Sequence, residues 1–275
     1  MKTEYIVFTD LDGTLLDYHS YSFEPAMPAL KLLCKHQIPL ILVSSKTRAE
    51  MQDYQIALGI EEYPFVVENG SAIFTQPEYF PKFSPYKIID SLWGYYLGRS
   101  YKELVQILAD ISNRYGYRIE GFHNCSDAHI IKHTGLNPHQ VKMAKEREFS
   151  IPIFYDQQTE DILRKEISRY NLRLLFGGRF MHLLGNVDKG KALNTIMNEY
   201  RSTYPSRKFA SVALGDSLND FAMLSAADIP ILVKRHDGSY EDREKLPDVL
   251  FSPAVGPSGW NISVLEVIKK RGIYE

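Results

Sequence analysis

Tyr5-Ile6-Val7-Phe8 is a short apolar run of β-branched and aromatic residues closed by a turn signal, the pattern of a buried strand. In residues 24–35, Met27, Leu30, Leu33 and Cys34 recur at helical spacing, and Pro25 and Pro28 mark the start. Residues 39–43 predict a second buried strand, 48–58 a helix stopped near Gly59, and 64–67 a third strand closed by Glu68-Asn69-Gly70. This alternation is that of a parallel sheet with helical crossovers.

The rhythm breaks near Gln76, where Pro and aromatic residues accumulate through Tyr86. Beyond it the pattern predicts an amphipathic helix over 101–114, a strand over 150–155, a helix over 159–170 and a strand over 172–176. Without regular alternation, this stretch reads as an α+β insertion with its own small sheet. From Lys189 the parallel pattern returns, with a helix over 190–200, a strand over 209–214, a helix over 218–226, a strand over 229–233 and a closing helix over 260–270. The expected organisation is an α/β, Rossmann-like core formed by 1–82 and 186–275, split by an inserted domain at 83–185.

Composition narrows the class of function. Hydrophobic content of 44% and charged content of 24% are those of a globular protein with ample core material. A formal net charge of −2 gives no reason to expect binding to nucleic acid or anionic lipid. Cys34 and Cys125 are too few for a disulfide framework and lack metal-site spacing, and Cys34, in an apolar stretch, reads as a buried thiol. No signal peptide or membrane-spanning run is evident, so the expectation is a cytoplasmic protein acting on a small molecule.

Four polar clusters follow predicted core strands. In Asp10-Leu11-Asp12-Gly13-Thr14, alternation along an extended chain puts both carboxylates on one side, and Gly13 permits a tight turn. Two such anions repel unless a cation or a shared proton intervenes, so the pair predicts a metal site, an acid/base pair, or both. Ser44-Ser45-Lys46 offers hydroxyls and free backbone N–H groups for an anion. Lys189, just before a helix, supplies a point charge for phosphate, and Gly215-Asp216-Ser217-Leu218-Asn219-Asp220 adds carboxylates and an amide at a further strand end. Open α/β sheets assemble their sites along this edge.

This ordered set resembles the haloacid dehalogenase (HAD) superfamily of phosphatases. The insertion between the second and third motifs resembles the α+β cap of the Cof-type branch, the C2B arrangement. More narrowly, Ser44-Ser45-Lys46-Thr47, Arg147-Glu148-Phe149-Ser150 and Gly177-Gly178-Arg179-Phe180-x-His182-Leu183 resemble the mannosyl-3-phosphoglycerate phosphatases. The resemblance implies a Rossmann-like core, a substrate-selecting cap and Mg²⁺-dependent hydrolysis of a sugar-linked phosphate monoester. It makes Asp10 the nucleophile and Asp12 the general acid/base. It places the metal on the Asp10 carboxylate, the Asp12 backbone carbonyl and the Asp216 carboxylate, and the phosphoryl oxygens on Ser44, Lys189 and Asn219. Asp220 would orient Lys189 or metal-bound water, and Thr14 would support the loop. Lys46, Arg147, Gly177, Gly178 and Arg179 would hold the substrate's glycerate carboxylate and sugar, whereas His123 and His182 read as structural. The alternatives are a phosphatase for glucosyl-3-phosphoglycerate or sucrose phosphate, a phosphomutase, and a non-catalytic sugar-phosphate sensor; the last would be expected to lack Asp10 or Asp12.

Overall fold

The computed structural model describes residues 3–81, 87–177, 180–242, 244, 246 and 248–270. In chain order the first segment gives β1 (Thr3–Thr9), α1 (Met27–Lys35), β2 (Leu40–Val43), α2 (Arg48–Leu58), β3 (Phe65–Val67), β4 (Ala72–Thr75), β5 (Lys87–Ile89) and β6 (Leu92–Tyr96). The middle segment gives α3 (Tyr101–Tyr115), α4 (Asp127–Thr134), α5 (Pro138–Lys145), β7 (Ser150–Phe154), α6 (Gln157–Tyr170), β8 (Leu172–Gly177) and β9 (Phe180–Gly185). The last gives α7 (Lys189–Thr203), β10 (Lys208–Gly215), α8 (Phe221–Ala226), β11 (Ile229–Lys234), β12 (Leu250–Val255) and α9 (Gly256–Lys270).

The large sheet runs β12-β11-β10-β1-β2-β3-β4-β6-β5. From β12 to β3 it is parallel, and β4, β6 and β5 extend it as an antiparallel edge. Both faces of its inner parallel strands are covered, so β1, β2, β3, β10 and β11 are largely buried, whereas β12 at the edge is exposed. On one face Leu33, Met51, Trp260 and Val264 pack together, and on the other Ile196, Met197, Met223 and Leu224 do so. Trp260 is fully buried and its indole donates to Thr9 Oγ1 at 3.0 Å, tying α9 to the end of β1.

Local chemistry fixes the elements nearest the strand ends. Thr47 and Glu50 form a capping box at the start of α2, and Gly59 ends that helix at φ +65°. Asp188 caps α7 by accepting from Lys191 N at 2.8 Å. Lys189 is thereby placed in the helix's first turn, directly behind the sheet edge.

The inserted segment carries a three-stranded antiparallel sheet, β7-β9-β8. One face packs Ile151, Ile153, Met181 and Leu183 against Leu104 and Leu108 of α3 and Leu163 of α6. Alternation puts Ser150, Pro152, His182 and Leu175 on the opposite face. β8 lies against the 218–220 turn of the core, so this sheet adjoins the large sheet's carboxyl edge.

Three expectations change. Residues 87–96, taken with the insertion that begins at 83, form β5 and β6 and pair with the large sheet. Cys34 is exposed, because α1 buries Ala29 and Leu33 and the next position turns about 100° away from that stripe. The strands β9 and β12 and the helices α4 and α5 were not anticipated. No helix among the described residues is long and apolar enough to cross a membrane.

Candidate active site

Asp10 follows β1 directly, and its backbone N–H donates to Leu214 O of β10 at 2.9 Å, carrying the sheet's register one residue past the strand. Gly13 then turns with φ +79°, and a Cβ there would stand 2.8 Å from Asp216 Oδ2. Only glycine combines that backbone with so close an approach. The loop after β1 is thus pressed against the loop after β10. Thr14 reinforces the contact by donating to Asp216 Oδ1 at 3.2 Å, a direct bond to the carboxylate as well as support for the loop.

Lys189 is fully buried between two carboxylates, with Nζ 2.5 Å from Asp10 Oδ1 and 2.6 Å from Asp220 Oδ1. Burial opposes its charge, but Asp10 and Asp220 outweigh that and hold its pKa above the ordinary lysine value. Asp220 spends its second oxygen on the N–H groups of Asp216 and Ser217, each at 3.1 Å. Burial raises Asp10 to about 7; Lys189 opposes the rise, while Asp220 and Asp12 add to it. Asp216 is raised well above the ordinary carboxylate value by burial, by Asp220 and by Asp10.

Oxygens of Asp10, Asp216 and Asp220 lie within 4.8 Å of one another. One buried ammonium cannot neutralise three buried carboxylates, and an all-oxygen donor set suits a small hard cation that keeps several waters. Asp220 is already committed through both oxygens, which leaves Asp10 and Asp216 as the carboxylates able to take a metal. The residues therefore fit Mg²⁺. The Asp12 carboxylate stands apart from this cluster: it is partly exposed and pairs with Lys46 Nζ at 2.9 Å.

Lys46 is therefore engaged by Asp12, and it also lies over the rings of Tyr21 and Tyr54 at 5.4 and 5.7 Å. Burial disfavours its charge, but Asp12 and Glu50 more than compensate and raise its pKa. Ser44 follows β2 and is nearly fully buried, and its hydroxyl accepts from Lys46 N at 3.3 Å. Asn219 Nδ2 donates to Asn69 Oδ1 at 3.1 Å, and Asn219 Oδ1 accepts from the Ser217 hydroxyl at 2.5 Å.

Arg147 lies where the inserted segment meets the core. It donates to Ser45 O at 2.7 Å, Ala144 O at 3.1 Å and Ser150 Oγ at 3.2 Å, and lies 4.0 Å from the buried carboxylate of Glu68. Those bonds use Nε and Nη1 to join the inserted segment to the core. Gly177 ends β8 opposite Phe180, and Gly178 and Arg179 lie outside the described residues. His123 and His182 each bury an Nδ1 atom that lacks a hydrogen-bond partner. Sequence reasoning treated Glu68, Asn69 and Gly70 only as a strand-closing turn. The Asn-Gly pair was the available signal, since it marks positions that tolerate left-handed backbone.

Comparison with known proteins agrees with this geometry. The sequence profile of the haloacid dehalogenase-like hydrolases matches residues 7–239. A glucosyl-3-phosphoglycerate/mannosyl-3-phosphoglycerate phosphatase of Methanococcoides burtonii is 38% identical over 98% of this chain and 98% of its own. A mannosyl-3-phosphoglycerate phosphatase of Pyrococcus furiosus is 34% identical, covering 89% of this chain and 98% of its own. Among solved structures, a haloacid dehalogenase-like hydrolase of Bacteroides thetaiotaomicron superposes with a TM-score of 0.69 at 16% identity, over 97% of this chain and 100% of that one. With three strand-end motifs and the start of α7 meeting on one sheet edge, and relatives matched along nearly their full length, the chain belongs to the haloacid dehalogenase-like hydrolases.

Proposed function

We propose that this protein is a Mg²⁺-dependent phosphatase that hydrolyses mannosyl-3-phosphoglycerate to mannosylglycerate and phosphate. The observation that carries the chemistry is the buried Lys189 ammonium 2.5 Å from Asp10, with the Asp216 carboxylate beside it. Asp10 attacks phosphorus, forming an aspartyl-phosphate as the bond to the substrate's alkoxide breaks. Asp12, outside the carboxylate cluster and partly exposed, protonates the departing alkoxide. It then takes a proton from the water that cleaves the aspartyl-phosphate, and free phosphate leaves. Ser44, Lys189 and Asn219 hold the phosphoryl oxygens, and Asp220 keeps the Lys189 ammonium in place. Asp10 and Asp216, with the Asp12 backbone carbonyl, would hold Mg²⁺, which when bound shares the phosphoryl charge.

The inserted domain, which begins after β6 and runs to residue 185, selects the substrate as a cap. Arg179 remains a candidate for the glycerate carboxylate, since guanidinium binds such a group through two parallel hydrogen bonds. Lys46 reaches the substrate on exchanging Asp12 for the incoming anion. A second reading, acceptance of glucosyl-3-phosphoglycerate as well, is favoured by the dual name of the Methanococcoides burtonii relative.

Phosphate release with Mg²⁺ from mannosyl-3-phosphoglycerate, glucosyl-3-phosphoglycerate and sucrose phosphate, ranked by kcat/KM, tests the proposal. The mannosyl ester should rank first or share first place with the glucosyl ester, and Asp10→Asn should lose at least about 10³-fold in kcat while keeping the wild-type melting temperature. Preference for a substrate without glycerate would overturn the assignment of substrate, and turnover by Asp10→Asn that of the nucleophile.

A further inference from the structure

The turn after β3 touches every motif at the sheet's carboxyl edge except the first. Glu68 and Asn69 are consecutive non-glycine residues in left-handed backbone, at φ +49° and +60°. Strain of this kind persists where surrounding structure holds it and concentrates at functional sites. What holds it here is specific. Glu68 N–H donates to Lys46 O at 3.0 Å, and Asn69 N–H donates to Ser44 O at 2.9 Å, pinning the turn to the end of β2. Gly70 follows at φ +95°, and a Cβ on it would stand 2.2 Å from Asp188 O and 2.8 Å from Lys189 N. The turn is therefore wedged between the backbone of Ser44 and that of Lys189.

From this position Asn69, almost fully buried, presents its side-chain oxygen to Asn219. An asparagine amide has a donor end and an acceptor end of nearly equal shape, so reversing it exchanges the polarity it offers a neighbour. Both ends of the Asn219 amide are fixed: Nδ2 donates to Asn69 Oδ1 at 3.1 Å, and Oδ1 accepts from Ser217 Oγ at 2.5 Å. One Nδ2 hydrogen remains for a ligand. A phosphoryl group carries only acceptors, so the reversed amide would repel it.

We infer that Asn69 is a positioning residue that locks Asn219 in the rotamer presenting N–H, not oxygen, to the phosphoryl group. The inference rests on the proposed function, in which Asn219 contacts that group. Asn69 itself touches neither substrate nor metal; it acts through the Asn219 amide, and its left-handed backbone places it there.

The test is a double-mutant cycle on phosphate release from p-nitrophenyl phosphate with Mg²⁺. It compares wild type, Asn69→Gly, Asn69→Asp, Asn219→Ala and the Asn69→Gly/Asn219→Ala pair. Glycine keeps the left-handed turn and the bond to Ser44 while deleting the acceptor, so it separates the side chain from the fold. Asn69→Gly should lose about 10- to 100-fold in kcat/KM, the usual cost of removing a supporting hydrogen bond behind a ligand-contacting group. The double variant should be no worse than Asn219→Ala, because the two residues act in series. Asn69→Asp, which retains an acceptor, should recover most of the lost kcat while its added charge raises KM. Multiplying losses in the double variant, or Asn69→Gly within about twofold of wild type, would overturn the inference while the phosphatase reading stood. A wild-type protein that releases no phosphate from this ester or from the sugar phosphates would remove both.

Discussion

At 7% exposure His182 sits on β9 with an unpartnered Nδ1, and burial, with Arg147 and Lys189 adding to it, pulls its pKa to about 3. Its ordinary value is 6.5, so below that pH the unfolded chain binds a proton that the folded protein refuses. The stability of neutral His182 is therefore fully present above pH 6.5 and is lost as pH falls toward 3, at about 1.4 kcal/mol per pH unit once the unfolded imidazole is charged. Asp10, raised to about 7, titrates with the opposite sign, so the informative quantity is the difference from wild type. His182→Leu should flatten the loss of urea-unfolding free energy between about pH 6 and 5 by about 1 kcal/mol relative to wild type. Parallel pH profiles would show that His182 is not held neutral by the fold. At this scale the sequence was most legible where parallel topology does the gathering: Asp10, Ser44 and Asp216 each follow an apolar strand of the large sheet, so reading the strands located them, whereas Lys189 stands at the start of α7 behind the unanticipated β9. The bond from Arg147 to Ser45 O was not legible, because the two residues lie 102 positions apart, a separation no local pattern encodes.

Among elements, the junction between the two sheets depends on one buried carboxylate. Glu68 accepts from Glu148 N at 2.8 Å, Phe149 N at 3.1 Å and Ser150 Oγ at 2.7 Å, holding the start of β7 against the core. Phe149 joins the core's apolar cluster and meets Tyr96 with ring centroids 4.6 Å apart, although the chain around it belongs to the inserted domain. Arg48 adds a bond to Glu148 at 2.8 Å, and Thr47 Oγ1 donates to Met143 O at 3.0 Å. Arg147-Glu148-Phe149-Ser150 thus serves as an anchor between domains. Glu68→Gln would set amide hydrogens against buried donors, and it should lower unfolding free energy by about 2 kcal/mol and speed proteolysis within the inserted domain. A loss below about 0.5 kcal/mol would mean that apolar packing alone seats β7. The elements that escaped the sequence did so for separate reasons. β5 is the antiparallel edge strand, with Lys87 and Ile88 exposed, so the buried-strand pattern fails there. α4 and α5 are eight residues each, too short for a helical period to stand out.

For the whole molecule, folding brings together charges that the net charge of −2 conceals. Asp10, Asp216 and Asp220 converge beside one lysine at the edge where the two sheets meet, and burial lifts both Asp10 and Asp216 above ordinary carboxylate values. A group whose folded pKa is raised is destabilising in its charged form at neutral pH, so the metal-free fold carries a penalty that a bound cation removes. Magnesium bound only by the folded protein stabilises it by RT ln(1 + [Mg²⁺]/Kd), about 2.7 kcal/mol at one hundred times Kd. Exchanging Mg²⁺ for EDTA should therefore lower the wild-type melting temperature by several degrees, since about 1 kcal/mol corresponds to roughly 2–4 °C in a chain of this size. Asp216→Asn deletes one of the repelling charges and one of the oxygens proposed for the metal while keeping an acceptor for Thr14. In EDTA it should be more stable than wild type by about 1 kcal/mol, and its melting temperature should no longer respond to Mg²⁺. A wild type indifferent to Mg²⁺, or a variant that still responds as wild type does, would place the cation elsewhere. The opposite signs of the two effects make the result specific, because general damage to the fold would lower stability in both conditions.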